Sequence, residues 1–355
     1  MTKVLLINQE KVPHYRVSAY NYLAAYLTKQ GFDLTIMSEG IQPGNIHKVE
    51  FTSKETSLTF FSISRAIIDL DPEVIIYWVR LRHLYLFPMI LFIKMVGKKT
   101  IYWGHGVDLY SGETMWLKKF ANDIEYRISD ALILYGEHLK KYVKRRHHHK
   151  TFIANNTLYF NEYRPGQHDK ASTLKKYGIG TRKNIIYVGR MQRRKKLEDL
   201  FGAFQLMNRP DVGLILVGPD DEGVLGEIQG DNVYKLGSIY GDDRLDLMAA
   251  SDVFCMPGPV GLSIVDSFYC GVPIVTEAGD ESPESMYLKN GINGFIVPKG
   301  DVGQLASRLR LLLEDEALRE RFSQAARTEI TTNGHIDRMC EGFSSSLRFV
   351  CDSKS

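Results

Sequence analysis

Residues 184–207 read NIIYVGRMQRRKKLEDLFGAFQLM, and this stretch decides the fold prediction. Asn184–Val188 is a near-continuous apolar run that predicts a buried strand, and Leu197–Met207 carries apolar residues at helical spacing. The loop between them, Gly189–Lys196, contains five Arg and Lys residues. A strand, a polar loop and a helix in this order form one half of a βαβ unit, which builds a parallel sheet.

The alternation of strand and helix continues towards the C-terminus. Further strands are predicted at Gly213–Val217, Val233–Leu236, Val253–Met256, Pro273–Thr276 and Gly294–Val297. Further helices are predicted at Arg244–Ala250, Ser263–Tyr269, Ser282–Asn290, Val302–Leu313 and Glu316–Glu329. Near-continuous apolar strands are typical of a parallel sheet that is covered by helices on both faces.

The first half of the chain shows the same alternation. Its predicted strands are Val4–Ile7, Leu34–Met37, Val74–Tyr77, Thr100–Trp103, Ala131–Tyr135 and Thr151–Ala154. Its predicted helices are Tyr15–Gln30, Thr59–Asp69, Leu84–Val96, Leu117–Ser129 and Glu137–Arg146. The polar, Gly- and Pro-containing stretch Asn155–Thr181 separates the two series, which indicates a linker with one helix around Lys170–Tyr177.

We therefore predict an α/β fold of two Rossmann-like, doubly wound parallel-sheet domains that face a cleft. The expected domains are residues 1–157 and 158–335, and residues 336–355 are expected to form a helix that packs back on the first domain. Ligands of such sheets bind at the carboxyl ends of the strands, so the cleft is the expected ligand site.

Composition sets limits on the class of protein. The chain has 355 residues, of which 44% are hydrophobic and 25% charged, and these values exclude collagen-like, mucin-like and wholly disordered proteins. Lys and Arg (45) exceed Asp and Glu (42) by only 3, so no nucleic-acid partner is expected. The four cysteines form no CxxC pair, which argues against a zinc ribbon and fits a reducing compartment.

No segment has the length of a membrane-spanning helix. The most apolar stretch, Leu84–Val96, is interrupted by Lys94 and is shorter than the roughly 20 apolar residues that a span needs. It is either a helix buried against the sheet or, given its basic flanks, a face that docks on a membrane. The N-terminus lacks the apolar length of a signal peptide. The expected location is cytoplasmic, either free or peripheral on the inner face of the cytoplasmic membrane.

The basic loop at Gly189–Lys196 is the first candidate site. Arg190 and Lys195 fall at the carboxyl edge of the sheet, beside the N-terminus of the next helix. Fixed cations near free backbone N–H groups form an anion site that suits phosphate. The alternative is a solvated basic loop. The sequence shows neither a GxGxxG fingerprint after a strand nor a Walker A loop.

The second candidate site is the segment MPGPVGLSIVDSFYCGVP at 256–273. A strand ends at Met256, and a Gly- and Pro-rich loop precedes a helix that is predicted to begin near Leu262 and to present amides to an anion. Asp266 lies one turn into this helix, where it is able to reach a sugar hydroxyl. The alternative for Asp266 is an ordinary acid on a helix surface.

In their order and spacing, these segments resemble the retaining GT-B glycosyltransferases of glycosyltransferase family 4, over nearly the whole chain. The resemblance implies that Gly189–Lys195 binds the donor diphosphate and that Asp266 binds the ribose. It assigns His105, Arg190 and Lys195 to catalysis and His14, Tyr15 and Arg16 to the acceptor side. The implied donor-binding residues are Gly189, Gly218, Ser238, Ile239, Tyr240, Gly258, Val260, Gly261, Leu262, Ser263 and Asp266.

The sequence departs from the family pattern at its paired acids, which lie eight positions apart. The second acid falls on Asp266, a shorter carboxylate, and the first falls on Gly258, which has no side chain. Direct contact of a carboxylate with the donor sugar is therefore lost at 258. The backbone N–H groups of Gly261 and Leu262 are expected to take over part of that role.

The resemblance also implies a mechanism with retention of configuration. Negative charge that develops on the departing diphosphate would be stabilised by Arg190, Lys195 and the helix N-terminus, without a metal. No protein nucleophile is obvious, so His105 would orient donor and acceptor. No cofactor is expected beyond the donor itself, a UDP- or GDP-sugar. The adjacent acids Asp220-Asp221 and Asp242-Asp243 are interpreted as solvated turns rather than metal ligands.

A basic run at Lys140–Lys150 includes three adjacent histidines. It is interpreted as a solvated helix end, as a surface that attracts anionic lipid headgroups, or as a metal site. The expected partners are a nucleotide-sugar donor and a glycan or lipid-linked acceptor in surface polysaccharide synthesis. Two alternatives stay open: a nucleotide-sugar epimerase of the same shape, and a catalytically weak binding protein.

Overall fold

The computed structural model describes residues 1–77, 86–105, 116–160, 163–167, 169–279 and 282–352. The chain divides into two compact units. The first unit comprises Met1–Asn161 together with His335–Ser355, and the second comprises Glu162–Gly334. Each unit is built around one parallel sheet, so the predicted fold class of two Rossmann-like α/β domains is confirmed.

The described part of the first unit contains a seven-stranded sheet in the order β3-β2-β1-β4-β5-β6-β7. Its strands are β1 Thr2–Ile7, β2 Phe32–Ser38, β3 Thr52–Glu55, β4 Val74–Tyr77, β5 Lys99–Gly104, β6 Ala131–Leu134 and β7 Thr151–Ile153. Neighbouring strands pair in parallel throughout this order. The edge strand β3 escaped prediction because its sequence, TSKE, is polar and mostly exposed.

Helices cover both faces of this sheet. They are α1 Val17–Lys29, α2 Phe60–Leu70, α3 Leu86–Met95 and α4 Trp116–Ile128. The two faces are separate apolar cores, since Val4 and Leu6 of β1 belong to one cluster and Leu5 and Ile7 to the other. Alternate side chains of a strand point to opposite faces, and this places apolar residues at every position of a doubly covered strand.

The second unit contains a six-stranded parallel sheet in the order β10-β9-β8-β11-β12-β13, as far as its residues are described. The strands are β8 Lys183–Val188, β9 Val212–Val217, β10 Val233–Gly237, β11 Val253–Cys255, β12 Ile274–Glu277 and β13 Gly294–Val297. The helices are α5 Lys170–Lys176, α6 Leu197–Met207, α7 Gly241–Ala249, α8 Ser263–Tyr269, α9 Val302–Glu314 and α10 Glu316–Thr332. The helix predicted at Ser282–Asn290 is wrong: only a 3-10 turn, Pro283–Tyr287, forms there.

The final helix, α11 Ile336–Asp352, belongs to the first unit. It packs against β6, β7 and α1. The hydroxyl of Tyr22 donates to Asp337 at 2.7 Å. Gly342 lies so close to β7 that a Cβ atom there would overlap the carbonyl oxygen of Ile153.

The basic run at Lys140–Lys150 is not the end of a helix, contrary to the prediction. It forms two 3-10 turns, Glu137–Tyr142 and Arg145–Lys150, separated by the extended and buried Val143. Lys144, Arg146 and His147 all turn to Asp123 of α4. Burial lowers the pKa of His147. The run does not continue as an exposed helix because Val143 packs in the core and the basic residues after it form ion pairs with Asp123.

Among the described residues, no helix is long and apolar enough to cross a membrane.

Candidate functional site

The carboxyl edge of the second sheet starts with glycines at the ends of three neighbouring strands. The amide of Gly189 donates to Val217 at 2.9 Å, and the amide of Gly218 donates to Gly237 at 2.8 Å. Gly218 has a φ of +143°, and a Cβ atom there would overlap the carbonyl oxygen of Gly189. The ends of β8 and β9 are therefore packed backbone to backbone, which only glycine permits at 218.

The basic loop leaves this edge and places its two predicted catalytic cations differently. Arg190 is exposed, and its carbonyl oxygen accepts a hydrogen bond from the Tyr187 hydroxyl at 2.7 Å. Met191 is buried, and its amide bonds to Pro219 at 2.8 Å, which holds the loop on the sheet. A 3-10 turn over Arg193–Lys195 then buries Lys195. Arg190 is thus free to meet a ligand from solvent, whereas Lys195 is built into the loop.

The ammonium of Lys195 is directed at the loop that follows β11. It donates to the carbonyl oxygen of Pro259 and lies 3.5 Å from the sulfur of Met256. The residue is only 8% exposed. A buried cation that is held this way keeps its charge at a fixed position on the strand-end edge, where low solvation strengthens its field.

Gly258 touches the basic loop directly. Its amide donates to the carbonyl oxygen of Lys195 at 3.1 Å. A Cβ atom at 258 would overlap the carbonyl oxygen of Arg194 and lie 2.6 Å from the Cα of Lys195. The space that a side chain would need at 258 is filled by the backbone of the basic loop. This contact gives a structural reason for the missing acid.

The loop after Gly258 leads into α8 and has unfilled space beside one of its residues, Gly261. Val260 is buried, while Leu262 and Ser263 are half-buried. A Cβ atom at Gly261 would meet nothing within 4 Å. The amide of Ile264 bonds to Gly261 at 3.1 Å, so the first helical turn begins at that glycine. The anion that the sequence analysis places at the leading amides of this turn stays a prediction.

Asp266 of α8 is buried and forms an ion pair that the sequence did not reveal. One of its carboxylate oxygens accepts a hydrogen bond from Nη2 of Arg244, on α7, at 2.9 Å. Burial raises the pKa of Asp266, and the Arg244 guanidinium opposes that rise. The Nε of Arg244 is buried and has no hydrogen-bond partner among the described residues. No motif marks Arg244, because the pair joins residues 22 positions apart on two helices.

The predicted nucleobase-side residues follow β10 on the same edge. Ser238 and Tyr240 are exposed, and Ile239 is half-buried. Tyr240 is extended and immediately precedes α7. The strand-end glycines, the residues after β10 and the loop that leads into α8 all follow strands of one parallel sheet. The predicted donor-binding residues therefore lie at or next to the carboxyl edge of this sheet.

A second buried pair at this edge was also missed. Nζ of Lys196 donates to Oε2 of Glu277, at the end of β12, over 2.7 Å, and the Glu277 side chain is fully buried. The half-buried Asp199 nearby has a pKa that is raised by partial burial and by the Glu277 carboxylate. The sequence signal for the pair was an acid at the end of the buried strand β12, which reads IVTE.

The predicted acceptor-side residues follow β1 in the first unit. His14 and Tyr15 are half-buried, and their rings lie edge to face at 5.3 Å. Arg16 is buried, donates to Oδ1 of Asn156 and lies 5.8 Å from the centre of the Trp103 ring. The buried Arg16 side chain therefore connects the segment after β1 to Asn156, which follows β7. His14 and Tyr15 are the more accessible residues of the motif.

His105 follows β5 on the same edge of the first sheet. It is half-buried, and its ring lies 4.8 Å from that of Tyr135, just after β6. Gly106, which completes the predicted cleft loop, lies outside the described residues.

The match to a known sequence family lies in the second unit. Residues 169–329, nearly all of the second unit, match the family model described as "Glycosyl transferases group 1". The chain is 32% identical over 149 residues to sulfoquinovosyl transferase SQD2 of Arabidopsis thaliana, covering 41% of this chain and 29% of that protein. It is 29% identical over 197 residues to the GDP-mannose-dependent monoacylated alpha-(1-6)-phosphatidylinositol monomannoside mannosyltransferase of Corynebacterium glutamicum, covering 51% of each. The chain thus spans about half or less of these curated relatives.

Structural comparison extends over both units. The crystal structure of Alr3699/HepE from Anabaena in complex with UDP-glucose is similar to this chain with a TM-score of 0.78. The match covers 98% of this chain and 99% of that one at 16% identity. At this identity the likeness concerns the fold alone.

Proposed function

We propose that this chain is a glycosyltransferase that takes a sugar from a nucleotide-sugar donor and transfers it, with retention, to a glycan or lipid-linked acceptor. The observation that carries the proposal is the match of residues 169–329 to group 1 glycosyltransferases. That match coincides with the unit whose basic loop and Gly258 loop meet at one sheet edge.

The donor diphosphate is proposed to bind where Arg190, Lys195 and the start of α8 meet. Arg190 is exposed and able to pair with a phosphate oxygen in two hydrogen bonds. Lys195 contributes a fixed charge at short range. In the reaction the bond from the sugar's anomeric carbon to the diphosphate oxygen breaks, and these cations stabilise the charge left on that oxygen. We propose that they do so without a divalent metal.

The nucleoside part of the donor is proposed to lie over Ser238–Tyr240 and α8. Asp266 would accept hydrogen bonds from the ribose hydroxyls, which requires its charged form. Arg244 supports that form, because its guanidinium opposes the rise in pKa that burial causes. One relative is, by its name, a GDP-mannose-dependent enzyme, and one protein of similar fold was crystallised with UDP-glucose, so a UDP- or GDP-sugar is the proposed donor.

Acceptor binding is proposed for the first unit, at His14, Tyr15 and His105. The acceptor hydroxyl forms its bond to the anomeric carbon on the face that the diphosphate leaves, and its proton passes to the departing diphosphate oxygen. His105 would orient that hydroxyl. One relative acts, by its name, on a phosphatidylinositol monomannoside, which favours a lipid-linked acceptor in glycolipid or surface polysaccharide synthesis.

A lipid-linked acceptor would bring the protein to the cytoplasmic face of a membrane. The exposed Lys141 and Arg145 in the basic run are proposed to contact anionic headgroups there. The contact would be weak, because Lys144, Arg146 and His147 already pair with Asp123.

The test is a screen of UDP-, GDP-, ADP- and TDP-sugars by thermal shift, followed by transfer assays with lipid-linked acceptors. Binding of one donor and acceptor-dependent release of the nucleoside diphosphate are expected. The fold does not separate a transferase from an epimerase. An isomerised donor formed without acceptor would establish the epimerase instead, and donor binding with no turnover would establish the binding protein.

A further inference from the structure

We infer that Glu277 is a positioning residue for the donor site: its carboxylate locks the basic loop through Lys196, and so fixes Lys195 against Gly258. Glu277 does not touch the proposed donor. It acts at the carboxyl end of β12, two strands away from the strand that carries the loop. This inference rests on the proposed function, because it assigns the residue's effect to nucleotide binding.

Glu277 joins three segments at the edge of the sheet. Its Oε2 accepts hydrogen bonds from Nζ of Lys196 at 2.7 Å and from the amide of Gly300 at 2.9 Å. Its own amide bonds to the carbonyl of Pro257 at 3.3 Å, next to Gly258. The segments it connects are therefore the basic loop, the loop after β11 and the turn before α9.

Lys196 is the residue at which the basic loop turns into α6. It has φ 54° and ψ 49°, a left-handed conformation that disfavours a residue with a Cβ atom. Such a conformation persists only where surrounding contacts enforce it. The hydrogen bond to Glu277 is one such contact, and it acts on the residue directly after Lys195.

Burial makes the ion pair of Lys196 and Glu277 energetically important. The side chains of Lys196 and Glu277 are 16% and 0% exposed. Removal of one charge would leave the other buried without its partner, which costs more than the loss of a surface ion pair. The second oxygen of Glu277, Oε1, has no hydrogen-bond donor within the described part of the chain. Burial and the neighbouring Glu277 carboxylate raise the pKa of Asp199.

The experiment measures binding of UDP and GDP by titration calorimetry, well below the unfolding temperature. We expect Glu277→Ala to weaken binding of the recognised nucleotide at least tenfold. Lys196→Gly alone leaves Glu277 buried without its partner, so we expect some loss of affinity. The loss should be smaller than in Glu277→Ala, because glycine adopts the left-handed conformation without an enforcing contact. The double variant Glu277→Ala/Lys196→Gly should recover most of the loss. A residue with a merely structural role would not be rescued in this way.

The matched control is Glu329→Ala. Glu329 is also a nearly buried acid, 8% exposed at its side chain, and pairs with Lys289 away from the basic loop. Its variant should have a lower unfolding temperature and an unchanged nucleotide affinity. If Glu277→Ala does not fold, Glu277→Gln takes its place. The amide of that variant keeps an acceptor oxygen for Gly300, so a smaller loss that Lys196→Gly again repairs is expected.

The possible outcomes distinguish failure of this inference from failure of the proposed function. Nucleotide affinity of Glu277→Ala equal to that of Glu329→Ala overturns the inference, as does a double variant no better than Glu277→Ala. Faster hydrogen exchange at the Gly258 amide in nucleotide-free Glu277→Ala, reversed in the double variant, supports it independently of any ligand. Wild-type protein that binds neither nucleotide would contradict the proposed function, and unchanged exchange at Gly258 would then overturn the inference separately.

Discussion

The amide of Gly258 donates a hydrogen bond to the carbonyl oxygen of Lys195 at 3.1 Å, and this contact leaves no room for a side chain at 258. The two residues belong to loops that follow neighbouring strands, β8 and β11. The space that a side chain would need at 258 is thus filled by the loop that carries Arg190 and Lys195, the proposed phosphate-binding cations. A glycine at 258 and the observed position of Lys195 therefore depend on each other.

Restoring the acid should therefore damage the protein. Glu at 258 would displace the carbonyl of Arg194 and the Cα of Lys195, so Gly258→Glu and even Gly258→Ala should lower nucleotide affinity at least tenfold. The unfolding temperature should fall as well, since overpacking typically costs about 1–3 kcal/mol. Calorimetry and thermal unfolding measure both. Gly226→Ala is the control, because a Cβ atom there meets nothing within 4 Å. Improved transfer by Gly258→Glu would contradict this interpretation.

Variants of the two proposed catalytic cations, Arg190 and Lys195, should differ in their effect on stability. Arg190→Ala and Lys195→Ala should each slow transfer by roughly tenfold to more than a hundredfold, since one charge-assisted hydrogen bond contributes about 1.5–3 kcal/mol. Arg190 is exposed, so its variant should unfold at the wild-type temperature. Lys195 bonds to Pro259, so its variant should also lose stability. Transfer rates at saturating and limiting donor, with Lys176→Ala as the control, check this. Near-normal rates in both variants would remove the assignment.

The buried pair of Asp266 and Arg244 predicts a pH effect on binding. Asp266→Asn should weaken the binding of the free nucleoside diphosphate and of the intact donor to the same extent. The loss should be smaller than the about 1.5–3 kcal/mol of a full charged hydrogen-bonding contact, because an amide keeps one acceptor oxygen. Arg244→Gln removes the cation that opposes the raised pKa of Asp266. The pKa should therefore rise further, and affinity should be lost at a higher pH than in wild type as the pH falls.

Calorimetric titration of the free nucleoside diphosphate at several pH values measures that shift. Asp266→Asn itself should show no such pH dependence, which makes it the internal control. If Asp266→Asn binds the free nucleotide normally and loses only the intact donor, the carboxylate faces the transferred sugar rather than the ribose.

Transfer should not require a divalent metal, because Arg190, Lys195 and the start of α8 supply the positive charge that the leaving group needs. The measurement is the rate with metal-free donor in EDTA, compared with the rate after addition of Mg²⁺ or Mn²⁺. Similar rates are expected. Activity that disappears in EDTA and returns with metal would show that the cations bind the donor without replacing a metal in catalysis.

Sequence patterns predicted the parts of the fold that depend on local composition. Apolar runs located the buried strands, and β8 with α6 lies where residues 184–207 indicated. The polar edge strand β3 carried no such signal. Ser282–Asn290 was predicted as a helix and forms a 3-10 turn over Pro283–Tyr287. The difference arises because Asn293 bonds to the carbonyl of Tyr287 and to the amide of Lys289 and so closes the turn from outside.

At the site, the residues that follow strands were predictable, and the pairs between elements were not. Gly189, Lys195 and Asp266 follow a strand or begin a helix, so topology places them at one edge. Arg244 and Glu277 act through partners 22 and 81 positions away, which no spacing rule connects. The burial of Arg16 was equally hidden, because its partner Asn156 follows the last strand of the sheet.

Because α11 belongs to the first unit but follows the second in the chain, the first unit is the last to be completed during translation. The ribosome synthesises the whole of Glu162–Gly334 before it makes Ile336–Asp352. Until α11 is made, Trp103 lacks the Phe343 ring that packs on it with ring centres 4.9 Å apart. Strand β7 likewise lacks its contact with Gly342. The second unit is therefore able to fold vectorially, while the first, although synthesised earlier, closes its core only after the last helix has emerged.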